Sequence, residues 1–448
     1  MSQASSGRRV IEVRQGIVGP MAPRPRNVRQ RGLREYPSVP AVYRELAKKY
    51  SSPLLMGPPI CDELMAVVQH LYTEEEAAVV RHLGLIRGRT AAWVARAEHR
   101  AVDQIAAILD RLATQKRCIV SSGDEPNLRY HVLPIVPGTF EMILINQSPE
   151  TLSAWHRRFI ELFEALFETG YGLDYAGATV PTVRYLPVGR AIEAHPMALP
   201  TDKLEGVLDR FELFGVGQCQ CRLTAIAQGH GCGKPIGNCA VMGKWAESGI
   251  KNGWLRQVSK EEMIDIKREA EAHDMVNWMM NVASTKGQNS CSCCGCCCHA
   301  MRSVNQFSAP ALFAPPHFRP KLAPARCVSC GLCARHCPMG ALLVDTAQKE
   351  KGDSAALPER LSETGTKNSS DPFIAARPLA AGHASVRYLA QRCIGCGLCV
   401  LACQRQHALA MEAVPDYKLP YHSWFSVLAK SLPGMLKTSW KVRQSRKR

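Results

Sequence analysis

The sequence lacks a long apolar run, an export signal and a nucleotide-binding motif. No stretch of about 18 uninterrupted apolar residues occurs, so we expect no membrane-spanning helix. Arg8-Arg9 is not followed by an apolar segment, and neither a Sec nor a twin-arginine signal is therefore expected. No nucleophile–base pair or phosphate-binding loop is apparent. We expect a cytoplasmic protein whose 20 cysteines bind metal clusters in a reducing environment instead of forming disulfides.

Acidic residues are nearly missing from both ends of the chain. Residues 1–34 contain eight Arg and one acid, Glu12, while residues 417–448 contain eight Lys or Arg and no acid. Their net charges of +7 and +8 make up most of the formal +17. Such tails suit an acidic partner, an anionic membrane surface or nucleic acid, although solvated tails that aid solubility are the alternative. We expect residues 1–40 to be a disordered basic tail, because they are rich in Arg, Pro and Gly without apolar periodicity.

The basic C-terminal tail, residues 416–448, has an amphipathic pattern that Pro433 interrupts. Its apolar face is formed by Trp424, Phe425, Leu428, Leu432, Met435 and Trp440. Such a segment has three interpretations: it packs against the body of the protein, binds a partner, or makes peripheral contact with a membrane surface.

Cysteine is abundant, and eight of these residues form two copies of one spacing. The copies are Cys327-x2-Cys330-x2-Cys333-x3-Cys337-Pro338 and Cys393-x2-Cys396-x2-Cys399-x3-Cys403. In such runs three closely spaced thiolates hold one iron–sulfur cube, and the fourth reaches the other cube. The pattern assigns Cys327, Cys330, Cys333 and Cys403 to cluster I, and Cys393, Cys396, Cys399 and Cys337 to cluster II. Two zinc sites would instead show paired CxxC motifs separated by a longer arm.

Over residues 322–415 these runs resemble the bacterial dicluster ferredoxins. The resemblance implies two [4Fe-4S] clusters and transfer of single electrons. Two features depart from the usual pattern: Cys403 is followed by Gln404 and not by proline, and residues 338–392 are longer than a compact ferredoxin needs. Residues 341–345 and 386–389 are strand-like, and we expect them to pair as a hairpin around a mobile loop, 347–371.

Ten further cysteines lie within eighty residues and are less conventional. They are Cys219, Cys221, Cys232, Cys239, Cys291, Cys293, Cys294, Cys296, Cys297 and Cys298. The first four have enough thiolates for one [4Fe-4S] cluster or one tetrahedral zinc, whereas residues 291–298 carry too many sulfurs for a single ion. These ten cysteines have three interpretations: they bind a third [4Fe-4S] cluster, they bind zinc, or they are redox-active or merely buried thiols. Arg222 beside Cys221 either offsets thiolate charge or lies at the surface.

Residues 41–145 have the pattern of a winged-helix-like domain. Thr73-x-x-Glu76 is a capping box that opens a helix, short helices are expected near 91–95 and over 101–113, and a hairpin follows at 118–133. A DNA-binding helix should be basic, but residues 101–113 offer only Arg111. Docking or dimerisation is the interpretation we favour over DNA binding.

Together these features resemble a family of bacterial and archaeal 4Fe-4S dicluster proteins with a winged-helix-like N-terminal region, over residues 40–415. We expect an α+β multidomain protein with boundaries at 1–40, 41–145, 146–320, 321–415 and 416–448. The expected function is electron transfer with a partner oxidoreductase, as a carrier or subunit and not as an enzyme. The alternatives are a redox-responsive regulator and a thiol- or disulfide-active enzyme at the ten-cysteine region.

Overall fold

The computed structural model describes residues 8–53, 56–84, 87–124, 126–284, 286–309, 313–346, 377–378 and 386–445. The chain forms two compact units: the first comprises Met1–Pro25 and Thr179–Ser431, and the second comprises Arg26–Ala178 and Leu432–Arg448. The loop predicted for residues 347–371 lies outside the described residues. The five-part division expected from the sequence stays a prediction.

The described chain mixes helices and sheets, as expected. The helices are α1 (Ala41–Tyr50), α2 (Asp62–Leu71), α3 (Glu74–Val80), α4 (Ala91–Glu98), α5 (Val102–Arg111), α6 (Phe140–Leu144), α7 (Ala154–Glu168), α8 (Gly189–Ile192), α9 (Leu204–Leu208), α10 (Gln220–Ala227), α11 (Lys244–Lys251), α12 (Lys260–Ala272), α13 (His299–Phe307), α14 (Leu332–Arg335), α15 (Leu398–Ala402) and α16 (Trp424–Ser445). The strands are β1 (Ile11–Arg14), β2 (Ile17–Pro20), β3 (Ile119–Ser122), β4 (Arg129–Val132), β5 (Val183–Tyr185), β6 (Phe214–Gly217), β7 (Cys239–Gly243), β8 (Arg256–Val258), β9 (Val276–Met280), β10 (Gly287–Cys293), β11 (Phe318–Leu322), β12 (Leu342–Asp345), β13 (Arg377–Pro378), β14 (Val386–Tyr388) and β15 (Leu409–Ala413).

The second unit contains α1 to α7 and the antiparallel hairpin β3–β4. The capping box predicted at the start of α3 is present, because Thr73 Oγ1 accepts from the Glu76 backbone N–H at 3.2 Å and Glu76 Oε2 accepts from the Thr73 N–H at 2.9 Å. Helices α4 and α5 and the hairpin follow in the predicted order. Element order alone does not establish a winged helix, so that assignment stays a prediction, as does the docking or dimerisation role favoured over DNA binding.

Arg111, the basic residue of α5, already has a carboxylate partner. Its Nη2 donates to Glu76 Oε1 at 3.1 Å, and Lys116 Nζ donates to Glu76 Oε2 at 2.6 Å. Burial alone would raise the pKa of Glu76, but the hydrogen bonds and charges of these two cations lower it. Any phosphate contact by Arg111 would therefore compete with a buried carboxylate.

In the first unit, a six-stranded antiparallel sheet has the order β5-β9-β10-β7-β6-β8. Helix α12 begins after Ser259, whose Oγ accepts from the Glu262 N–H at 3.1 Å, and it turns Met263 and Lys267 inward. The sheet places the cysteines near strand ends, since Cys239 begins β7 and Cys293 ends β10.

Two further strand pairs frame the two cysteine runs of the first unit. β12 pairs antiparallel with β14, with Leu342 opposite Tyr388, which is the predicted hairpin pairing. β11 pairs antiparallel with β15, with Phe318 opposite Ala413. One strand of each pair therefore flanks each cysteine run, and the two ladders join the ends of one run to the ends of the other.

The prediction that residues 1–40 are disordered is wrong for the described residues 8–40. Strands β1 and β2 form an antiparallel hairpin, and β2 extends the sheet of β12 with Val18 opposite Val344. Gln15 and Gly16 both have positive φ, 48° and 83°, as a tight hairpin turn requires. The strands are too short to show periodicity, but Val18 is fully buried because it covers what would otherwise be an open sheet edge.

Helix α16 continues through Pro433, which the sequence had suggested would interrupt it. Several large apolar side chains of this helix are exposed, namely Phe425, Leu428, Leu432, Leu436 and Trp440. Peripheral membrane contact stays a prediction. In the described part of the chain, no helix has both the length and the apolar character needed to cross a bilayer.

Val18 provides a test of the unexpected β1–β2 hairpin, because it packs on the loop of the first cysteine run. A Cβ at Gly331 would lie 3.3 Å from Val18 Cγ2. We expect Val18→Asp to destabilise the first unit by about 3 kcal/mol, since it buries an unpaired charge. The measurement is the rate at which urea bleaches the visible absorbance of the iron–sulfur clusters expected in the first unit. The control is Val13→Asp, at an exposed position of the same hairpin. Equal rates for both variants would contradict the burial of this hairpin.

Candidate metal centres

The first cavity is lined by Cys327, Cys330, Cys333 and Cys403, which is the set predicted for cluster I. Its empty volume is about 370 Å³. Gly331 adopts a left-handed conformation (φ 74°) at the N-cap of α14, so the chain turns sharply between Cys330 and Cys333. Cys403 reaches the same cavity from the end of α15.

The second cavity repeats this construction. It is lined by Cys337, Cys393, Cys396 and Cys399, the set predicted for cluster II, and its empty volume is about 350 Å³. Gly397 has φ 80° at the N-cap of α15, in the position equivalent to Gly331. The fold thus exchanges the last cysteine of each run, although the assignment of these residues as ligands stays a prediction.

The chemistry of both cavities fits an iron–sulfur cluster. Their linings combine thiols with apolar side chains, and burial raises the pKa of Cys333 to about 12 and that of Cys393 to about 11. Without a metal these thiols would stay protonated at neutral pH, whereas bound iron favours the thiolate. Backbone N–H groups of Ala341 and Gly395 donate to Cys337 Sγ at 3.1 Å and Cys393 Sγ at 3.4 Å, contacts that tune cluster potentials.

The two cavities differ in access to solvent. Cys330 is exposed, and the side chains beside it, Val328 and Leu332, are 44% and 43% exposed. Cys396 and Cys399 of the second cavity are buried. The first cavity therefore lies nearer the protein surface than the second.

The ten cysteines at residues 219–298 fall into two groups. The sulfurs of Cys232, Cys294, Cys296 and Cys297 all lie within 4.8 Å of one another, and we call them the four-cysteine group. The other residues, the six-cysteine group, follow one another as neighbouring thiols in the order Cys219, Cys221, Cys298, Cys293, Cys291 and Cys239. The grouping of Cys232 with Cys219, Cys221 and Cys239 that the sequence suggested is therefore not observed, since strand β10 and the turn after it supply partners to both groups.

Two buried cations accompany these thiols. Arg222 is 2% exposed and donates from Nη1 to the Ser292 carbonyl at 2.8 Å, with Cys294 Sγ at 3.9 Å. Lys267 is fully buried and donates from Nζ to the Ser290 carbonyl at 2.7 Å. In the described part of the chain neither side chain has a carboxylate partner, so the thiols are their available counter-charges.

The pKa values of the two cations reflect this arrangement. Burial alone would lower the pKa of Arg222, but Cys219 and Cys294 raise it. Burial lowers the pKa of Lys267 to about 8, while Cys291 and Cys239 act in the opposite direction. The interpretation of Arg222 as a surface residue is wrong, because its side chain is buried beside the cysteines.

Sequence reasoning missed two residues of this region. Lys267 shares the buried face of α12 with Met263 and Ala270, and a lysine at such helical spacing was the available signal. The other is His299, whose Nδ1 lies 3.2 Å from Cys221 Sγ. Its place directly after the cysteine run was the only hint in the sequence.

The comparisons with known proteins bear on the two cavities. A family model described as a 4Fe-4S dicluster domain matches residues 326–407, which contain both cysteine runs. The chain carries a 4Fe-4S dicluster domain. The match covers much less than half of the chain and does not reach the region predicted to be winged-helix-like. Searches of curated proteins and of solved structures found no match.

The dicluster domain is tied directly to the cysteine-rich turn at residues 294–298. Asn305 Nδ2 donates to the Gly295 carbonyl at 3.2 Å and to the Pro338 carbonyl at 2.9 Å. Buried Arg392 donates to Asn305 Oδ1 at 3.1 Å and to the Met339 carbonyl at 2.8 Å. These bonds hold the loop that carries Cys337 against the turn.

The six-cysteine group also shares an apolar cluster with the second cavity. Cys293 and Cys298 pack in one buried cluster with Met339, Ile394 and Cys396, and Cys291 and Cys337 lie at its edge. Apolar side chains pack between the two sets of sulfurs. The six-cysteine group therefore adjoins the cavity assigned to cluster II.

Gly295 tests the contact between the turn and the dicluster domain. A Cβ at this position would lie 2.0 Å from the Pro338 carbonyl oxygen, so Gly295→Ala must displace one backbone segment. We expect this variant to lose cluster-derived absorbance at least several-fold faster than wild type on warming under anaerobic conditions. The control is Gly189→Ala, whose Cβ would approach only Glu271 Oε2 at 3.9 Å. Wild-type kinetics for Gly295→Ala would contradict the close approach.

Proposed function

We propose that this protein binds two [4Fe-4S] clusters and passes single electrons to or from a partner oxidoreductase. Cys327, Cys330, Cys333 and Cys403 would hold cluster I, and Cys337, Cys393, Cys396 and Cys399 would hold cluster II. The observation that carries the proposal is that each set of four lines its own cavity within the matched dicluster segment. When bound, each cluster supplies a site for one exchangeable electron.

The residues of the chain prepare each cavity for this role. Apolar side chains such as Leu322 and Leu409 in the first cavity, and Ile394 and Leu342 in the second, exclude water from the sulfurs. Exclusion of water and the N–H···S contacts set the potential, and the short ladders around the cavities limit movement during electron exchange. No protein group needs to donate or accept a proton for this exchange.

Access to the surface supports a proposed docking place for the partner protein. Cys330 and its exposed apolar neighbours Val328 and Leu332 offer a small contact surface at the first cavity. Weak redox encounters use small interfaces of this kind. We place the partner oxidoreductase at this edge of the dicluster domain.

The six-cysteine group supports a second element of the proposal, a third redox centre. The observation that supports this third centre is the apolar cluster that Cys293 and Cys298 share with Cys396. A further iron–sulfur cluster fits the neighbouring thiols of this group, and so does a disulfide that takes up two electrons and two protons to become a dithiol. Because the group adjoins cluster II, electrons would reach it from that side.

Metal analysis tests the two-cluster assignment. Anaerobically purified wild-type protein should contain about eight iron and eight acid-labile sulfides in the dicluster domain, and the reduced protein should give an EPR spectrum of two interacting spins. Cys330→Ser and Cys396→Ser should each remove the signature of one cluster and the interaction, because the cavities are separate. Cys118→Ser is the control, since Cys118 is buried far along the chain from these runs. Loss of both clusters in each variant, with the fold retained, would contradict separate sites.

A reductive titration tests the third centre. Two [4Fe-4S] clusters take up about two electrons per chain, so a third centre predicts a larger uptake by wild-type protein. Cys239→Ser combined with Cys298→Ser should return the uptake to about two while the EPR interaction between clusters I and II persists. Wild-type uptake of only two electrons would argue against a redox role for the six-cysteine group.

A further inference from the structure

The four-cysteine group has the sulfur spacing of a site for one metal ion. Cys296 Sγ and Cys297 Sγ are 3.7 Å apart, and Cys232 Sγ and Cys294 Sγ are 4.0 Å apart. A tetrahedral zinc ion with Zn–S bonds of about 2.3 Å places its ligand sulfurs about 3.8 Å apart. The two observed separations bracket that value.

The dicluster domain provides an internal comparison. Among the described residues, only the four-cysteine group has three or more potential ligand atoms that all lie within 4.8 Å of one another. The eight cysteines of the dicluster domain are all described, yet no three of their sulfurs lie within 4.8 Å of one another. A cube of iron and sulfide needs such a space between its ligands, whereas one ion draws the sulfurs together.

We propose that Cys232, Cys294, Cys296 and Cys297 bind one Zn²⁺ ion in a closed, structural site that is separate from the redox centres. Four thiolates fill the tetrahedral shell, so no position stays open for a substrate. Zn²⁺ tolerates the slightly unequal sulfur separations because its filled d shell imposes no geometry, and such sites bind it more tightly than Fe²⁺. The ion displaces a proton from each of the four thiols as it binds.

The surroundings of the group are those of a structural site. Cys294 and Cys297 are buried in a small cluster with Ala225, Ala270 and Met275, while Cys232 and Cys296 lie at its edge. Arg222 Nη1, 3.9 Å from Cys294 Sγ, offsets part of the negative charge of a four-thiolate site. The cation and the apolar contacts are provided by the fold, so the site is built and not incidental.

The ion would join two segments that have little regular structure of their own. Cys232 lies between α10 and β7 in an irregular loop where Gly229 and Gly233 have positive φ. Its three partners lie in the turn after β10, whose Gly295 carbonyl is bonded through Asn305 to Pro338. The zinc site would therefore fix the turn on which the Cys337 loop of the dicluster domain rests.

Separate measurement of zinc and iron in the full-length protein tests this proposal. Protein from medium supplied with both metals should contain about one zinc per chain. Cys296→Ser should lower zinc severalfold with the dicluster iron retained, and Cys239→Ser, a control in the six-cysteine group, should keep the zinc. Cys330→Ser should lower iron and keep zinc, so failure of the two-cluster proposal is distinguishable from failure of this one.

A second variant and a spectrum cover the case in which Cys296→Ser does not fold. Cys296→His preserves a zinc ligand and should retain the zinc. Wild-type protein loaded with Co²⁺ in place of zinc should show the intense visible bands of tetrahedral thiolate coordination, and these should disappear in Cys296→Ser or Cys232→Ser. Iron in place of zinc at this group, zinc lost equally in Cys239→Ser, or absence of tetrahedral cobalt bands would overturn the proposal.

Discussion

The burial of sulfur is the constraint on which the first unit depends. All cysteines except Cys61 and Cys118 lie in this unit, and many are buried or half-buried. Buried thiolates are costly unless a metal or a cation compensates their charge. The fold lines two cavities with four cysteines each, brings four further sulfurs within 4.8 Å of one another, and buries the cations Arg222 and Lys267 beside the remaining thiols. The neighbouring sulfurs explain why two charged side chains, which are rare in a protein core, are buried here.

The same constraint explains why the cysteine-rich region and the dicluster domain form one structure. Gly295 has no side chain because the Pro338 backbone occupies that space, and Asn305 bonds to both segments. Arg392 extends this network to Met339. These bonds and the shared apolar packing hold the turn at residues 294–298 and the Cys337 loop together.

The first cysteine run also relies on residues distant in sequence. Strand β2 adds to β12, and Val18 contacts the loop around Gly331, so a segment more than 300 residues upstream supports the cluster I cavity. Thr346 N donates to the Gly16 carbonyl at 2.9 Å and closes the same edge. The β1–β2 hairpin therefore covers the edge of β12 and leaves β1 as the outer strand of the sheet.

Regular spacing made part of this protein readable without a structure. The two cysteine runs and the capping boxes at Thr73 and Ser259 depend on residues close in sequence, and each is visible in a short window. The exchange of Cys337 and Cys403 between cavities also followed from the spacing, because the motif itself encodes it. These features are local, and local chemistry is what a single sequence records.

Tertiary structure decided the rest, because the deciding contacts join residues far apart in the chain. Cys232 meets Cys294 across more than sixty residues, and no spacing rule relates them. The burial of Val18, Arg222 and Lys267 likewise depends on which segment covers each side chain. The sequence by itself determined that the dicluster domain has eight well-placed cysteines. Only the folded sheet determined how the other ten are divided, since strand β10 and its following turn direct adjacent sulfurs into different sites.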